Sequence, residues 1–121
     1  MKQFNIVRAY DITEELAKNS ELSIQAKWVL YKLRKELLPY RDFYYEESKK
    51  LFDRYETEVN ENTITFKTPE LAKEYQEKQS EIDNFEVDAK YSKQPLKISD
   101  IPNITIPQIE QLDEFISFKP E

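Results

Sequence analysis

Glu70, Glu74, Glu77 and Glu81 are the densest set of potentially reactive side chains in this 121-residue sequence, and helical spacing would align them on one face. Clustered carboxylates can shuttle protons or hold Mg²⁺ or Ca²⁺. Here Lys73 and Lys78 interleave with them, which is the i,i+4 charge ladder of an exposed helix. Glu46 and Glu47 are adjacent, so on a helix they point ~100° apart and cannot chelate one ion together. The run "DNFEVD" (83–88) puts Asp83 and Asp88 outside any calcium-loop spacing and lacks the glycine such loops need. Seven serines are present, but no histidine exists to activate them, and Ser48 beside Lys49 and Lys50 reads as a solvated helix face.

Gly, Cys and His are absent altogether. That removes the thiolate nucleophile, the disulfide, the commonest general base and the commonest zinc ligand. It also removes phosphate-cradling loops, whose backbones need φ > 0. The sequence predicts a protein that is not an enzyme, with no catalytic or metal-ligating residue and no cofactor.

Charge is unevenly placed. Residues 1–55 carry 11 basic and 9 acidic side chains, residues 56–121 carry 7 and 15, and the net is −6. An acidic second half disfavours nucleic acid and membrane surfaces and favours basic protein partners. Lys27, Lys32, Arg34, Lys35 and Arg41 do surround Trp28 and Tyr31, a combination able to pair phosphates and stack bases. The helical wheel scatters those cations, so nucleic-acid binding is disfavoured. The N-terminus has no apolar signal-peptide region, and no run of ~18 apolar residues could span a membrane. These features predict a soluble, cytoplasmic chain.

By length the chain forms one domain, 1–121. "FNIVRAY" (4–10) is short and rich in β-formers, so a strand is expected there, with a brief helical turn capped by Asp11 or Thr13 completing 1–20. Over 22–56 the pattern is helical. Leu30, Leu37, Tyr44 and Leu51 recur every seven residues, as do Ile24, Tyr31, Leu38, Tyr45 and Phe52, and more briefly Ala26, Leu33 and Tyr40. All three rows keep phase across Pro39, which lies opposite them. The prediction is therefore one long helix kinked at Pro39, not two.

A strand–helix–strand unit is expected over 63–99. Ile64 and Phe66 alternate with polar residues, and Thr68-Pro69-Glu70 opens a helix that ends near Asp83-Asn84. "FEVDAKY" (85–91) alternates strictly and reads as the clearest strand, with "LKIS" (96–99) continuing the sheet. The segment 100–121 is irregular, with a short helix starting at Pro107, and "FISF" (115–118) either ends it or adds a strand. The expected class is α+β: the long helix and the shorter one on a small, mostly antiparallel sheet. Such a sheet and a short helix cannot cover the whole long helix. Tyr40, Tyr44, Tyr45, Leu51, Phe52 and Tyr55 are thus the candidate partner interface, with self-association as the simplest way to cover it.

The order of "AYDITEELAKNSELSIQAKWVLYKLRKELLPY", "LFDRY", "NTITFKTPELAKEYQEKQSEI" and "TIPQIEQLDEFISF" resembles a widespread group of small proteins encoded by tailed bacteriophages. Related sequences carry a glycine turn where this chain has "NEN" (60–62). The resemblance implies a phage product made in the bacterial host cytoplasm: a virion component, an assembly helper or an early protein acting on the host. Two functions are compatible with it. One is a non-enzymatic protein-interaction module that self-associates or binds another phage or host protein. The other is an acidic inhibitor that captures a host defence or nucleic-acid enzyme.

Overall fold

The computed structural model describes residues 1–55, 57–60 and 63–120, without the side chains of 57–60, 63 and 64. Gln3, Ile6, Val7, Tyr10, Thr13 and Leu16 recur every three or four residues, and the segment carrying them is a helix, α1 (Gln3–Leu16), with this face buried. The strand expected at 4–10 is thereby corrected. A strand would have put Arg8 on the same face as Ile6 and Tyr10, whereas the helix turns Arg8 out to solvent. Thr13 caps nothing. It lies within α1, and its hydroxyl donates to the Tyr10 carbonyl at 2.6 Å.

α2 (Ile24–Asp53) is a single 30-residue helix that passes uninterrupted through Pro39, whose ring lies exposed. Ser23 caps it, accepting a hydrogen bond from the Ala26 amide at 3.0 Å. Two shorter helices lie head to tail along its inner face. α1, with 14 residues, runs antiparallel along about half of α2 and passes Pro39, so that Asp11 approaches Arg41 at 3.9 Å. α3 (Pro69–Asp83), with 15 residues, runs antiparallel to the rest, bringing Tyr75 to Phe52 and Asp83 to Tyr44. Thr68 starts α3 as its sequence implies, accepting from the Leu71 amide at 3.2 Å. The two short helices together match α2 in length, and α2 at 1.5 Å per residue spans about 45 Å.

The join between α3 and α1 is made by backbone. The Gln3 amide donates to the Phe85 carbonyl and the Val87 amide to the Met1 carbonyl, each at 2.9 Å. This single bridge, Lys2 with Glu86, is all the pairing that the segment 85–91 makes. The alternation read there holds as burial only from Glu86 on: Val87, Ala89 and Tyr91 pack half-buried against the core while Glu86, Asp88 and Lys90 face out, but Phe85 is exposed. Two donors at the far end of this stretch are met by side chains of α2 instead of a strand. The Lys90 amide donates to Tyr40 Oη at 2.9 Å and the Ser92 amide to the Glu36 carboxylate at 2.6 Å.

Sheet structure is confined to two separate pairs among the described residues. β1 (Thr57–Asn60) and β2 (Thr63–Phe66) form an antiparallel hairpin, and the turn expected at 60–62 lies mostly outside the described residues. β3 (Gln94–Lys97) and β4 (Ile116–Lys119) pair in parallel, Leu96 opposite Phe118, so "FISF" contributes a strand. The crossover between them holds a 3-10 turn (Ile98–Asp100) and α4 (Ile106–Leu112), whose start is capped by Thr105 with Gln108 reciprocating. Asn103, at φ 68°, takes the left-handed turn in a chain without glycine, a conformation asparagine tolerates. The α+β expectation is overturned: the molecule is mainly helical, and its helices pack on one another, not on a mostly antiparallel sheet. Ile6, Leu30, Leu37, Ile101, Leu112 and Ile116 form the centre of the core.

Candidate interaction surface

The six aromatic and aliphatic residues singled out on α2 do not form one open face. Tyr40 is half-buried, with its hydroxyl taken by the Lys90 amide. Leu51 is buried, and Phe52 and Tyr55 meet Tyr75 edge-on at centroid distances of 6.4 and 5.7 Å, Tyr55 also touching Phe66. Tyr44 Oη donates to Asp83 at 2.7 Å, while Gln79 Nε2 bridges Tyr44, Ser48 and Asp83 at 3.0–3.3 Å. Of the six, Tyr45 alone stands largely open, with the Arg41 guanidinium 4.7 Å over its ring. That guanidinium also covers the Tyr10 ring at 4.9 Å, so it joins α1 to α2.

Burial and the hydrogen bond to Asp83 push the Tyr44 phenol well above its ordinary range. A raised phenol favours the folded state up to the unfolded pKa of about 10 and loses that contribution as pH climbs through the folded value. Tyr44 is therefore expected to ionise above the ordinary range of a phenol in an ultraviolet titration. Tyr44→Phe should remove one phenol from the late part of the titration, where burial also raises Tyr10 and Tyr91, and flatten the alkaline fall in stability. A titration in which Tyr44→Phe removes a step near the ordinary value would contradict the packing of α3 on α2.

The heptad rows explain why the open surface lies elsewhere. A straight helix drifts by about 20° per heptad against a seven-residue repeat. Over four heptads the row from Ile24 to Phe52 turns through roughly 80°, which carries Phe52 towards α3 and leaves Ile24 pointing away from the core. Ile24 is 82% exposed, Trp28 55% and Tyr31 47%. On the wheel these three fall within an arc of roughly 60°, opposite the buried Ala26, Val29, Leu30 and Leu33. Trp28 and Tyr31 stack at 6.1 Å, and Lys35 Nζ sits 5.6 Å from the Tyr31 ring. Lys27 and Lys32 flank the stripe on either side, and Arg34 and Lys35 continue it beside a concavity of about 190 Å³ shared with Tyr10 and Leu38. A stripe apolar at its centre and cationic at its rim can hold an apolar, acidic segment. The i, i+4, i+7 spacing of Ile24, Trp28 and Tyr31 was legible in the sequence, but the heptad rows had absorbed two of its members into the presumed core.

Among the described residues no three carboxylates are grouped to hold a metal ion, and no helix is long and apolar enough to cross a membrane. Comparison of the chain with protein-family models, curated proteins and solved structures gives no match.

Proposed function

We propose that this chain is a non-enzymatic protein-interaction module of phage origin, and that it binds an apolar, acidic segment of another protein on the outer face of α2. One observation carries the reading: Ile24, Trp28 and Tyr31 form an exposed apolar stripe on the side of α2 opposite the core, edged by lysines. Large aromatic residues ringed by long charged side chains are what interface centres use. Covering α2 needs no second copy, because α1 and α3 already do so along its inner face. Pairing two outer faces would also set Lys27, Lys32 and Lys35 against their own kind, a like-charge cost that favours a different partner.

Trp28 is the sole tryptophan and so reports on its own surface. Trp28→Ala with Tyr31→Ala should change folding stability by only about 0.5 kcal/mol or so per site, as exposed substitutions do. The same double variant should lose a partner that the unaltered chain captures from phage-infected cells. That capture should weaken as salt rises and should shift Trp28 emission to the blue. A partner retained by the double variant, or captured through the α3 carboxylates Glu70, Glu74, Glu77 and Glu81, would overturn the assignment. The second outcome would favour the acidic-inhibitor reading, and a dimer abolished by the double variant would favour self-association.

A further inference from the structure

Where α1 lies against α2, a concavity of about 190 Å³ is lined by Tyr10, Tyr31, Arg34, Lys35 and Leu38. Two of these five are cations and none is an acid. Among the described residues neither Arg34 nor Lys35 has a carboxylate within ion-pair distance, and Arg34 makes no hydrogen bond. The Arg34 Nε is sealed from solvent without a partner. Its two terminal nitrogens are not sealed, so they are the part of the guanidinium that faces water. Both charges lie beside the rings of the concavity. Lys35 Nζ is 5.6 Å from the centre of the Tyr31 ring. Burial holds the Tyr10 phenol above its ordinary range, Glu14 adds to this, and the charges of Arg41 and Arg34 work against it. Arg34 thus reaches the Tyr10 side of the hollow, and Lys35 the Tyr31 side.

Two adjacent cations without a counter-charge, in a chain of net charge −6, suit an external anion. The guanidinium fork matches the oxygens of a carboxylate or a phosphate, and the ammonium adds a second point charge. A carboxylate neutralises only one of the two. A phosphate monoester carries about two negative charges near neutral pH and has oxygens for both. Tyr31 is 47% exposed and carries Trp28 stacked beside it at 6.1 Å, so a flat group attached to the phosphate meets a ring surface. The volume holds a phosphate with one small ring and falls below the range of drug-sized sites, which begins at about 300 Å³. We propose that this concavity binds a phosphate monoester carried on a flat ring, with the phosphate between Arg34 and Lys35 and the ring on Tyr31. A phosphorylated tyrosine side chain and a nucleotide both have that chemistry. The site adjoins the outer stripe and shares Tyr31 with it, but it needs no protein partner, so its failure would leave the protein-interaction reading standing.

Phenyl phosphate is the probe. In ¹H–¹⁵N spectra of the labelled chain at constant ionic strength, it should shift the Tyr31 amide saturably. The Arg34 Nε–H resonance, slowed in exchange by its burial, should move with it. Inorganic phosphate lacks the ring and benzoate lacks the second charge, and each should bind at least about fivefold more weakly. Arg34→Gln keeps a polar side chain, removes the fork and should weaken phenyl phosphate about fivefold or more. Phosphotyrosine and adenosine monophosphate then separate the two sources, and the tighter of them names the natural carrier. Should phenyl phosphate give no saturable shift at tens of millimolar, or should the three anions bind equally, the cations act only as diffuse surface charge and the proposal is wrong. The comparison of the three anions uses the unaltered chain, so it decides the matter even if Arg34→Gln folds poorly.

Discussion

Leu37→Ala is expected to cost about 2–5 kcal/mol, the range for truncating a fully buried leucine whose neighbours relax only in part. Leu37 is wholly buried and sits near the middle of α2, within the cluster that joins α1, α4 and the parallel strands. Chains of this size have a total stability of only about 5–15 kcal/mol, so the variant loses a large share of it. Ile24→Ala, on the same helix but 82% exposed, should fall within about 0.5 kcal/mol of the unaltered chain. Urea unfolding of the pair reads the difference between the two faces of α2. Similar small losses at both positions would mean that the inner face is not packed as described, and the assignment of the outer stripe would fall with it.

The contrast between those two leucine-sized residues also shows what the sequence could and could not reveal. Leu37 and Ile24 belong to neighbouring heptad rows, and a seven-residue count treats them alike. Neighbouring rows already lie about 100° apart, and the drift of a 3.6-residue helix against that count adds roughly 40° between these two residues. Which side of the resulting arc is covered depends on where α1 and α3 lie. The helix itself was legible, Pro39 included, because the rows hold their phase across it. So was the cap at Thr68, since cap chemistry is local, whereas at α4 the sequence reading took Pro107 as the start and missed the Thr105 cap. The misreading at 4–10 came from weighing β-propensity above period. Phe4, Ile6, Val7 and Tyr10 are good strand formers, yet Ile6-Val7 and Ala9-Tyr10 are adjacent pairs three residues apart, which is a helical signature. That one error removed α1 from the helix count, and with it half of the cover for α2. An interface was then assigned to Tyr44, Phe52 and Tyr55, residues that the structure spends on α3 and β2. The strand expected at 85–91 failed for another reason. Alternation reports which side of an extended chain is buried, and it says nothing about what accepts the backbone hydrogen bonds. Here the acceptors include the Met1 carbonyl and the side chains of Tyr40 and Glu36, which no local pattern could reveal.

Pro39→Ala is expected to raise stability by about 2 kcal/mol. Proline within a helix forfeits one backbone hydrogen bond and clashes with the carbonyl four residues earlier, a penalty of roughly 3 kcal/mol. Restricting the unfolded chain returns about 0.4–1 kcal/mol of that, so the net gain on removal is smaller than the penalty. The ring of Pro39 is exposed and appears in no core contact, so alanine opens no cavity there. A higher melting temperature with unchanged helix content would confirm that the imino acid is a local burden carried on the wet side of α2. The opposite result would be more instructive. Two short helices must both lie flush on one long one, with Leu37 beneath α1 on one side of residue 39 and Tyr44 beneath α3 on the other. If alanine lowers stability, the bend that proline favours is what lets a single helix present its inner face to both partners. In that case Pro39→Ala should loosen the Tyr44–Asp83 contact first, and the late tyrosine ionisation described above should move towards its ordinary value before the rest of the fold gives way.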